Sequence, residues 1–304
     1  MKVNWTGVYP AVTTKFTASH KLDIPANVHN LKAQIAAGVD GIIIGGSLGE
    51  ASTLTIDERQ QLVEAALAIE AEGISIILNI AERRTSDAIA LAQLAEKIGA
   101  HGLMLLPPMQ YKADSRETVE MFKAVAANTS LPIMLYNNPH DYKIAVTIPM
   151  LEELASIENF KAIKESSRDI TNIIRFKNAF GDRYKIHCGV DTLALECLAA
   201  GADGWVAGLV NAFPRETVVI FKLVKAGRIK EALEIYRWFM PLLELDIHPK
   251  LVQYIKLAEV ATGLGTEYVR APRLTLEGTE REEILNIINT GVANRPDLSK
   301  FDQL

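Results

Sequence analysis

Three stretches of the chain carry residue types that could do covalent chemistry on a carbonyl compound. Lys164 stands in Phe160-Lys161-Ala162-Ile163-Lys164-Glu165-Ser166-Ser167, a β-type run in which Ala162 and Lys164 fall on one face. Among apolar strand neighbours the ammonium form of a lysine is disfavoured. Its pKa falls from about 10.4, and the neutral amine can attack a carbonyl and form a Schiff base. The same placement also suits a lysine whose stem packs on the sheet while its head reaches water. Tyr136, in Tyr136-Asn137-Asn138-Pro139, could relay protons as a general acid and base, or, taken singly, could simply hydrogen-bond a loop. Opposite Lys164 the acid role gains weight, because imine formation needs a proton for the departing hydroxide. Gly45-Gly46-Ser47-Leu48-Gly49-Glu50 could present backbone N–H groups and the Ser47 hydroxyl to a carboxylate. Its glycines would equally serve a tight turn that needs positive φ.

Other chemistries find less support. A dinucleotide fingerprint would need glycine at position 44, which is Ile44, and one strand earlier in the order. His20, His29, His101, His140, His187 and His248 show neither H-x-H nor H-E-x-x-H spacing, so no metal site is expected. Cys188 and Cys197 form no C-x-x-C pair; Cys188 reads as a small apolar residue of a buried strand. Arg83-Arg84 could touch an acidic substrate or simply face solvent near a helix start.

The elements that must position these groups alternate. Short β-branched runs span Gly7 to Val12, Gly41 to Ile44, Ser75 to Ile80, Gly102 to Leu106, Ile133 to Tyr136, Phe160 to Lys164, Lys185 to His187 and Gly204 to Ala207. Helical periodicity fills the gaps: Ile24 to Ala37, Asp57 to Glu72, Ser86 to Ile98, Arg116 to Ala127, Ile148 to Ala155, Thr171 to Ala179 and Leu193 to Ala200. Eight strand-helix alternations imply parallel pairing and a closed (β/α)₈ TIM barrel, an α/β fold. In such barrels the site lies at the C-terminal strand ends, where the glycine turn, Tyr136 and Lys164 all fall. Gly38, Gly73, Gly99 and Gly201 stand where C′ glycines are expected, and Thr55-Ile56-Asp57-Glu58 has capping-box spacing. Gly99-Ala100-His101-Gly102 and Gly201-Ala202-Asp203-Gly204 echo each other, as repeated βα units should. From Pro214 the pattern is helical only: Pro214 to Lys225, Ile229 to Leu243, Lys250 to Thr262 and Glu280 to Thr290. The expected division is a barrel over 1–213 and a C-terminal helical appendage over 214–304, with Trp238, Phe239, Leu242 and Leu243 in its core or in an oligomer contact.

Composition bounds the function. The 304 residues are 49% hydrophobic and 23% charged, with net charge −5, which is ordinary for a soluble protein and gives no electrostatic footprint for nucleic acid. No apolar run reaches a membrane span, and Met1-Lys2-Val3-Asn4-Trp5-Thr6 lacks the core of a signal peptide, so a cytoplasmic location and a small-molecule ligand are expected.

With these residues located, the chain resembles the dihydrodipicolinate synthase and N-acetylneuraminate lyase family over nearly its full length. The matching pieces are Gly7-Val8-Tyr9-Pro10-Ala11-Val12-Thr13, Gly46-Ser47-Leu48-Gly49-Glu50, Tyr136-Asn137-Asn138-Pro139 and Ile163-Lys164-Glu165-Ser166-Ser167. The resemblance implies that Lys164 forms an imine with the keto carbon of pyruvate or another 2-oxo acid. Tyr136 relays the proton, Gly46, Ser47 and Leu48 hold the carboxylate, and Gly189 and Val206 line the pocket. It implies no cofactor beyond that covalent imine, and a dimer or tetramer.

Departures narrow the activity. Leu48 stands where the synthases use a threonine hydroxyl, Met109 where they carry a tyrosine lent across the subunit interface, and Asp141 where an arginine holds the second substrate's carboxylate. An aspartate facing a carboxylate repels it. Tyr142-Lys143, Gly189-Val190-Asp191, Trp205-Val206-Ala207-Gly208-Leu209-Val210 and Phe213-Pro214-Arg215-Glu216 look like the branch that includes the 1-pyrroline-4-hydroxy-2-carboxylate deaminases of hydroxyproline breakdown. On that reading the substrate is a cyclic imine with one carboxylate. The alternatives are 4-hydroxy-tetrahydrodipicolinate synthase, a pyruvate-dependent aldolase of the N-acetylneuraminate or 4-hydroxy-2-oxoglutarate type, and a non-catalytic 2-oxo-acid sensor. Against the sensor, a pure binder needs neither an amine nucleophile nor an acid partner.

Overall fold

Apolar, β-branched runs form eight parallel strands: β1 (Gly7–Pro10), β2 (Gly41–Ile44), β3 (Ser75–Ile80), β4 (Gly102–Leu105), β5 (Ile133–Asn137), β6 (Phe160–Glu165), β7 (Lys185–Cys188) and β8 (Gly204–Ala207). The protein is seen here as a computed structural model describing residues 3–69, 73–301 and 303. The strands form one sheet ordered β1-β8-β7-β6-β5-β4-β3-β2. Val12 N donates to Ile43 O at 3.0 Å and Asp40 N to Val8 O at 2.9 Å, and an Ala11–Ile43 bridge completes the seam. The result is a (β/α)₈ barrel. Because helices cover the outside and side chains fill the inside, strands such as Ile42-Ile43-Ile44 are buried on both faces.

β2, β3 and β8 have the expected bounds. β1 stops at Pro10 because the chain then changes partner, Ala11 N bonding Ala207 O at 2.9 Å before Val12 turns to Ile43. β5 and β6 each run one residue further than expected. Their added residues Asn137 and Glu165 pair in register, and Asn137 Nδ2 donates to Glu165 Oε2 at 2.6 Å. Most expected helices recur within two residues. The second covers Ile56–Leu67, and positions 70–72 of its expected span lie outside the described residues. The capping box holds as expected, with Glu58 N donating to Thr55 Oγ1 and Thr55 N to Glu58 Oε2. A helix over Pro139–Tyr142 was not anticipated, being too short to show periodicity.

The echoed glycine units turn out to share a task. In each, the third residue caps the neighbouring strand: His101 Nδ1 accepts from Ile76 N at 2.9 Å, and Asp203 Oδ2 accepts from Ile186 N at 2.8 Å. Gly38-Val39-Asp40-Gly41 is a third copy, with Asp40 Oδ2 accepting from Val8 N at 2.8 Å. Gly7 must be glycine for this, since a Cβ there would lie 1.9 Å from Asp40 Oδ2.

After β8 come the long helices Pro214–Lys225, Ile229–Leu243, Leu251–Thr262 and Gly278–Ala293. Phe239, Leu242 and Leu243 are fully buried, and Trp238 stacks on Phe239 with centroids 5.3 Å apart, so this cluster is core. No helix among the described residues is long and apolar enough to cross a membrane. Leu251–Thr262 is bolted to the barrel mouth by buried charges. Lys256 Nζ lies 2.5 Å from Glu50 Oε1 and donates to Tyr268 O at 2.7 Å, Arg270 N donates to Glu50 Oε2 at 3.0 Å, and Glu259 Oε1 accepts from Thr13 Oγ1 at 2.5 Å and from Lys15 Nζ at 3.2 Å. Removing one partner strands the other in a dry site. Lys256→Met is expected to lower the unfolding free energy by about 3–5 kcal/mol, measured by denaturant titration; a change lost in the experimental error would show that the pair does not hold the helix to the barrel.

Candidate active site

β5 and β6 lie side by side with Tyr136 opposite Lys164. That register puts both side chains on the same, inward face, and Lys164 Nζ sits 4.1 Å from the Tyr136 ring centroid. Both residues are 7% exposed, and among the described residues the amine has no hydrogen-bond or ion-pair partner. Burial therefore pulls the Lys164 pKa down, against the raising influence of Tyr142, Asp246 and Asp191. The Tyr136 phenol is pushed up to about 12, chiefly by burial, with hydrogen bonds from Asn138 and Ser166 opposing. Asn138 Nδ2 donates to the Tyr136 hydroxyl at 3.2 Å. A phenol held protonated beside an amine whose charged form burial disfavours can give a proton as the amine attacks.

A cavity of about 110 Å³ lies over the amine, lined among others by Gly46, Ser47, Leu48, Tyr136, Lys164, Gly189 and Val206. These seven positions, all singled out from the sequence, thus line one space that holds a few water molecules or one small acid. The glycine turn is sharp, with Gly45 at φ +69° and Glu50 at φ +59°. Within it the N–H groups of Ser47 and Leu48 have no intramolecular partner among the described residues. Outside lies a cleft of about 860 Å³ that shares Ser47, Asp141, Tyr142, Arg168 and Asp246 with the inner cavity and adds Met109, Arg59 and Arg83. Met109 therefore faces the approach rather than the inner cavity, and Arg84 turns away to pair with Asp87 at 2.8 Å.

Other residues on or beside this wall have no site role assigned from the sequence. Tyr142 hydrogen-bonds Ser47 Oγ through its hydroxyl and packs edge-on against Tyr136 with centroids 5.6 Å apart. Its position depends on the Pro139–Tyr142 turn, which Asn138 caps through Asp141 N at 3.2 Å; the Asn-Pro pair signals that turn, but not where its tyrosine points. Asp191 is buried with Oδ1 accepting from Trp205 Nε1 at 2.8 Å and Oδ2 from Leu209 N at 2.8 Å, while Gly208 N donates to both at 3.1 Å. Asp246, Ile247 and Leu251 reach the cavity from the C-terminal helices, and nothing in Leu245-Asp246-Ile247 marks them in the sequence. Arg168 adopts φ +63° and has no hydrogen-bond or ion-pair partner among the described residues. Among the described residues no group of three or more His, Cys, Asp or Glu side chains is placed to hold a metal ion.

The chain matches the Dihydrodipicolinate synthetase family over residues 4–290. It is 32% identical over 273 residues to the 4-hydroxy-tetrahydrodipicolinate synthase of Exiguobacterium sibiricum, covering 89% of this chain and 91% of that one. The solved structure of the 4-hydroxy-tetrahydrodipicolinate synthase from Methylacidiphilum fumariolicum is 29% identical and superposes with a TM-score of 0.90 over 97% of each chain. A monomeric dihydrodipicolinate synthase variant, 25% identical, superposes at 0.88 over 94% of this chain and 97% of its own.

Two expectations follow from the geometry. Between the lowered pKa of Lys164 and the ordinary value of 10.5, the unfolded chain binds a proton that the folded one does not. Stability therefore climbs with pH through that window, and the penalty is complete below it. Lys164→Met should remove the penalty, raising neutral-pH stability by about 0.5–2 kcal/mol in denaturant titration; a less stable variant would mean that the amine is held charged. Gly189 leaves room for the lysine, since a Cβ there would lie 2.6 Å from Lys164 Cε and 2.2 Å from Ser166 Oγ. Gly189→Ala should displace the amine and slow imine formation by about 10²-fold with the melting temperature little changed, read by borohydride trapping; trapping at the parent rate would show that the lysine has another path.

Proposed function

The chain belongs to the dihydrodipicolinate synthetase family, and from that premise we propose that it is a Schiff-base lyase acting as a deaminase, converting 1-pyrroline-4-hydroxy-2-carboxylate to 2,5-dioxopentanoate and ammonia. Enzymes of this family work through a covalent lysine imine and use no external cofactor. One observation carries the reading: a buried, unpaired amine faces a buried phenol in a small cavity whose outer wall includes the side chain of Asp141. A second substrate carboxylate would meet repulsion there, whereas a substrate with one carboxylate and a polar ring would not.

In the proposed course, the substrate carboxylate lies on the Ser47 and Leu48 N–H groups, which sets C2 beside Lys164 Nζ. The amine adds to C2, and the ring nitrogen takes a proton and departs, leaving a lysine iminium and a primary amine on C5. The iminium acidifies C3; loss of that proton gives an enamine that expels the C4 hydroxyl as water. Tautomerisation makes the C5 nitrogen an imine. Hydrolysis there releases ammonia, and hydrolysis at C2 releases the product and restores Lys164. One water leaves and two enter, so the net reaction consumes one. Tyr136 supplies and recovers protons near C2, with the Tyr142–Ser47 hydroxyl pair beside it. Gly46, Gly189 and Val206 shape the wall.

A second reading is 4-hydroxy-tetrahydrodipicolinate synthase, the activity named for the relatives above. Arg168 favours it, because its unpaired guanidinium lines the same cavity and could take a second carboxylate. An assembly of two or four copies, which goes with the family resemblance, suits either reading.

The readings separate in one panel. The deaminase releases ammonia from 1-pyrroline-4-hydroxy-2-carboxylate, gains borohydride-trapped mass at Lys164 with pyruvate, and loses turnover in Lys164→Ala. Condensation of pyruvate with aspartate semialdehyde, without ammonia from the pyrroline, would establish the synthase instead. Absence of any 2-oxo-acid adduct on Lys164 would overturn both.

A further inference from the structure

Two carboxyl groups from outside the β5–β6 pair act on Lys164, Asp246 from the cavity wall and Asp191 from the core beside it, and the protein treats them differently. Asp191 is saturated: Trp205 Nε1 and the backbone N–H groups of Gly208 and Leu209 all donate to it. Burial raises the Asp191 pKa, but these donors oppose that rise, fix the turn after β8 and leave no lone pair free for a substrate. Asp246 comes from the turn between helices Ile229–Leu243 and Leu251–Thr262, and no side-chain donor bonds it among the described residues. Space has been kept for it, since a Cβ on Gly208 would lie 2.3 Å from Asp246 Oδ1. It shares the cavity wall with Lys164. Groups facing it are Asp191, Lys164 and Asp141, with the Asp191 backbone N–H also directed at it and Tyr136 nearby.

We propose that Asp246 is the general acid of the reaction, giving its proton to the hydroxyl that leaves C4. This rests on the deaminase reading above. As the enamine pushes electrons toward C4, the C4–O bond breaks with its electron pair on oxygen, the Asp246 proton completes a water molecule, and the aspartate is reprotonated from solvent before the next turnover. Protonation of the acid is favoured because burial, with the Asp191 carboxylate adding to it, pushes the Asp246 pKa well above the ordinary carboxylate range. Where two neighbouring carboxyls have environments that push their protonation apart, the donor-poor one is the acid. Tyr136 faces the amine side of the cavity, so the two proton donors serve different bonds.

The test compares leaving groups. Asp246→Asn should lower ammonia release from 1-pyrroline-4-hydroxy-2-carboxylate by about 10²–10⁴-fold, while pyruvate is still trapped by borohydride at Lys164, which shows that the fold and the nucleophile are intact. Fluoride departs without a proton, so the 4-fluoro analogue should be turned over by Asp246→Asn at close to the parent rate. Equal losses on the hydroxy and fluoro substrates, or full activity of the variant on the hydroxy substrate, would overturn the role while leaving the deaminase reading in place. Failure of the unmutated protein to release ammonia from the hydroxy substrate would instead remove that reading and this role together.

Discussion

Keeping a primary amine out of water with no carboxylate to neutralise it is the constraint on which the rest of this molecule depends. Among the described residues three lysines are buried, and two of them are answered at once: Lys15 by Glu259 at 3.2 Å and Lys256 by Glu50 at 2.5 Å. Lys164 is answered only by the face of an aromatic ring. A paired buried lysine is a structural cation, because losing its proton would strand the acid beside it. An unpaired one relieves its desolvation by shedding the proton, which is the state a nucleophile needs. Even with Glu259 in contact, burial brings the Lys15 pKa down to about 8. The same force acts on Lys164 without a partner close enough to bond.

The paired lysines support the unpaired one. Glu50 closes the Gly46-Ser47-Leu48-Gly49-Glu50 turn in a left-handed backbone conformation and sends both carboxylate oxygens away from the cavity, one to Lys256 and one to Arg270 N. A motif glutamate that does not itself line the cavity thus holds the two free N–H groups of Ser47 and Leu48 in place from behind, its N–H bonding Ser47 O at 3.1 Å. Lys256 and Glu259 lie one turn apart on helix Leu251–Thr262, whose first residue Leu251 lines the cavity. The C-terminal helices are therefore part of the site's rigidity, and through Asp246 and Ile247 part of its wall.

What could be read from residue order and what could not divides along sequence distance. Strand alternation, the glycine turns, and the pairing of Tyr136 with Lys164 all follow from local periodicity and from the rule that consecutive strands of such a barrel are neighbours. The third glycine unit, at Gly38, differs from the other two by valine for alanine, and its kinship shows only in the bond from Val8 N to Asp40. Asp246 was invisible because Leu242-Leu243-Glu244-Leu245-Asp246-Ile247 alternates acidic and apolar residues as many surface helix ends do. Its place in the cavity is fixed by how the following helix docks on Lys15 and Glu50, more than two hundred residues earlier in the chain.

Leu48 shows how a loss read from the sequence can be misjudged when one position is considered alone. A leucine there has no hydroxyl to pass a proton, and Met109 brings no phenol to the inner cavity, so the chain looks stripped of its relay. The folded molecule carries another hydroxyl to the same neighbourhood: Tyr142, turned inward by the Asn138 cap, bonds Ser47 Oγ and lies edge-on to Tyr136. The apolar Leu48 then has a use of its own. A hydrocarbon beside two phenols and an amine excludes water that would otherwise compete for their protons, and the lower local dielectric strengthens each remaining polar contact. In the function proposed for this chain, the Tyr142–Ser47 hydroxyl pair beside Tyr136 then stands where the leucine has removed a hydroxyl.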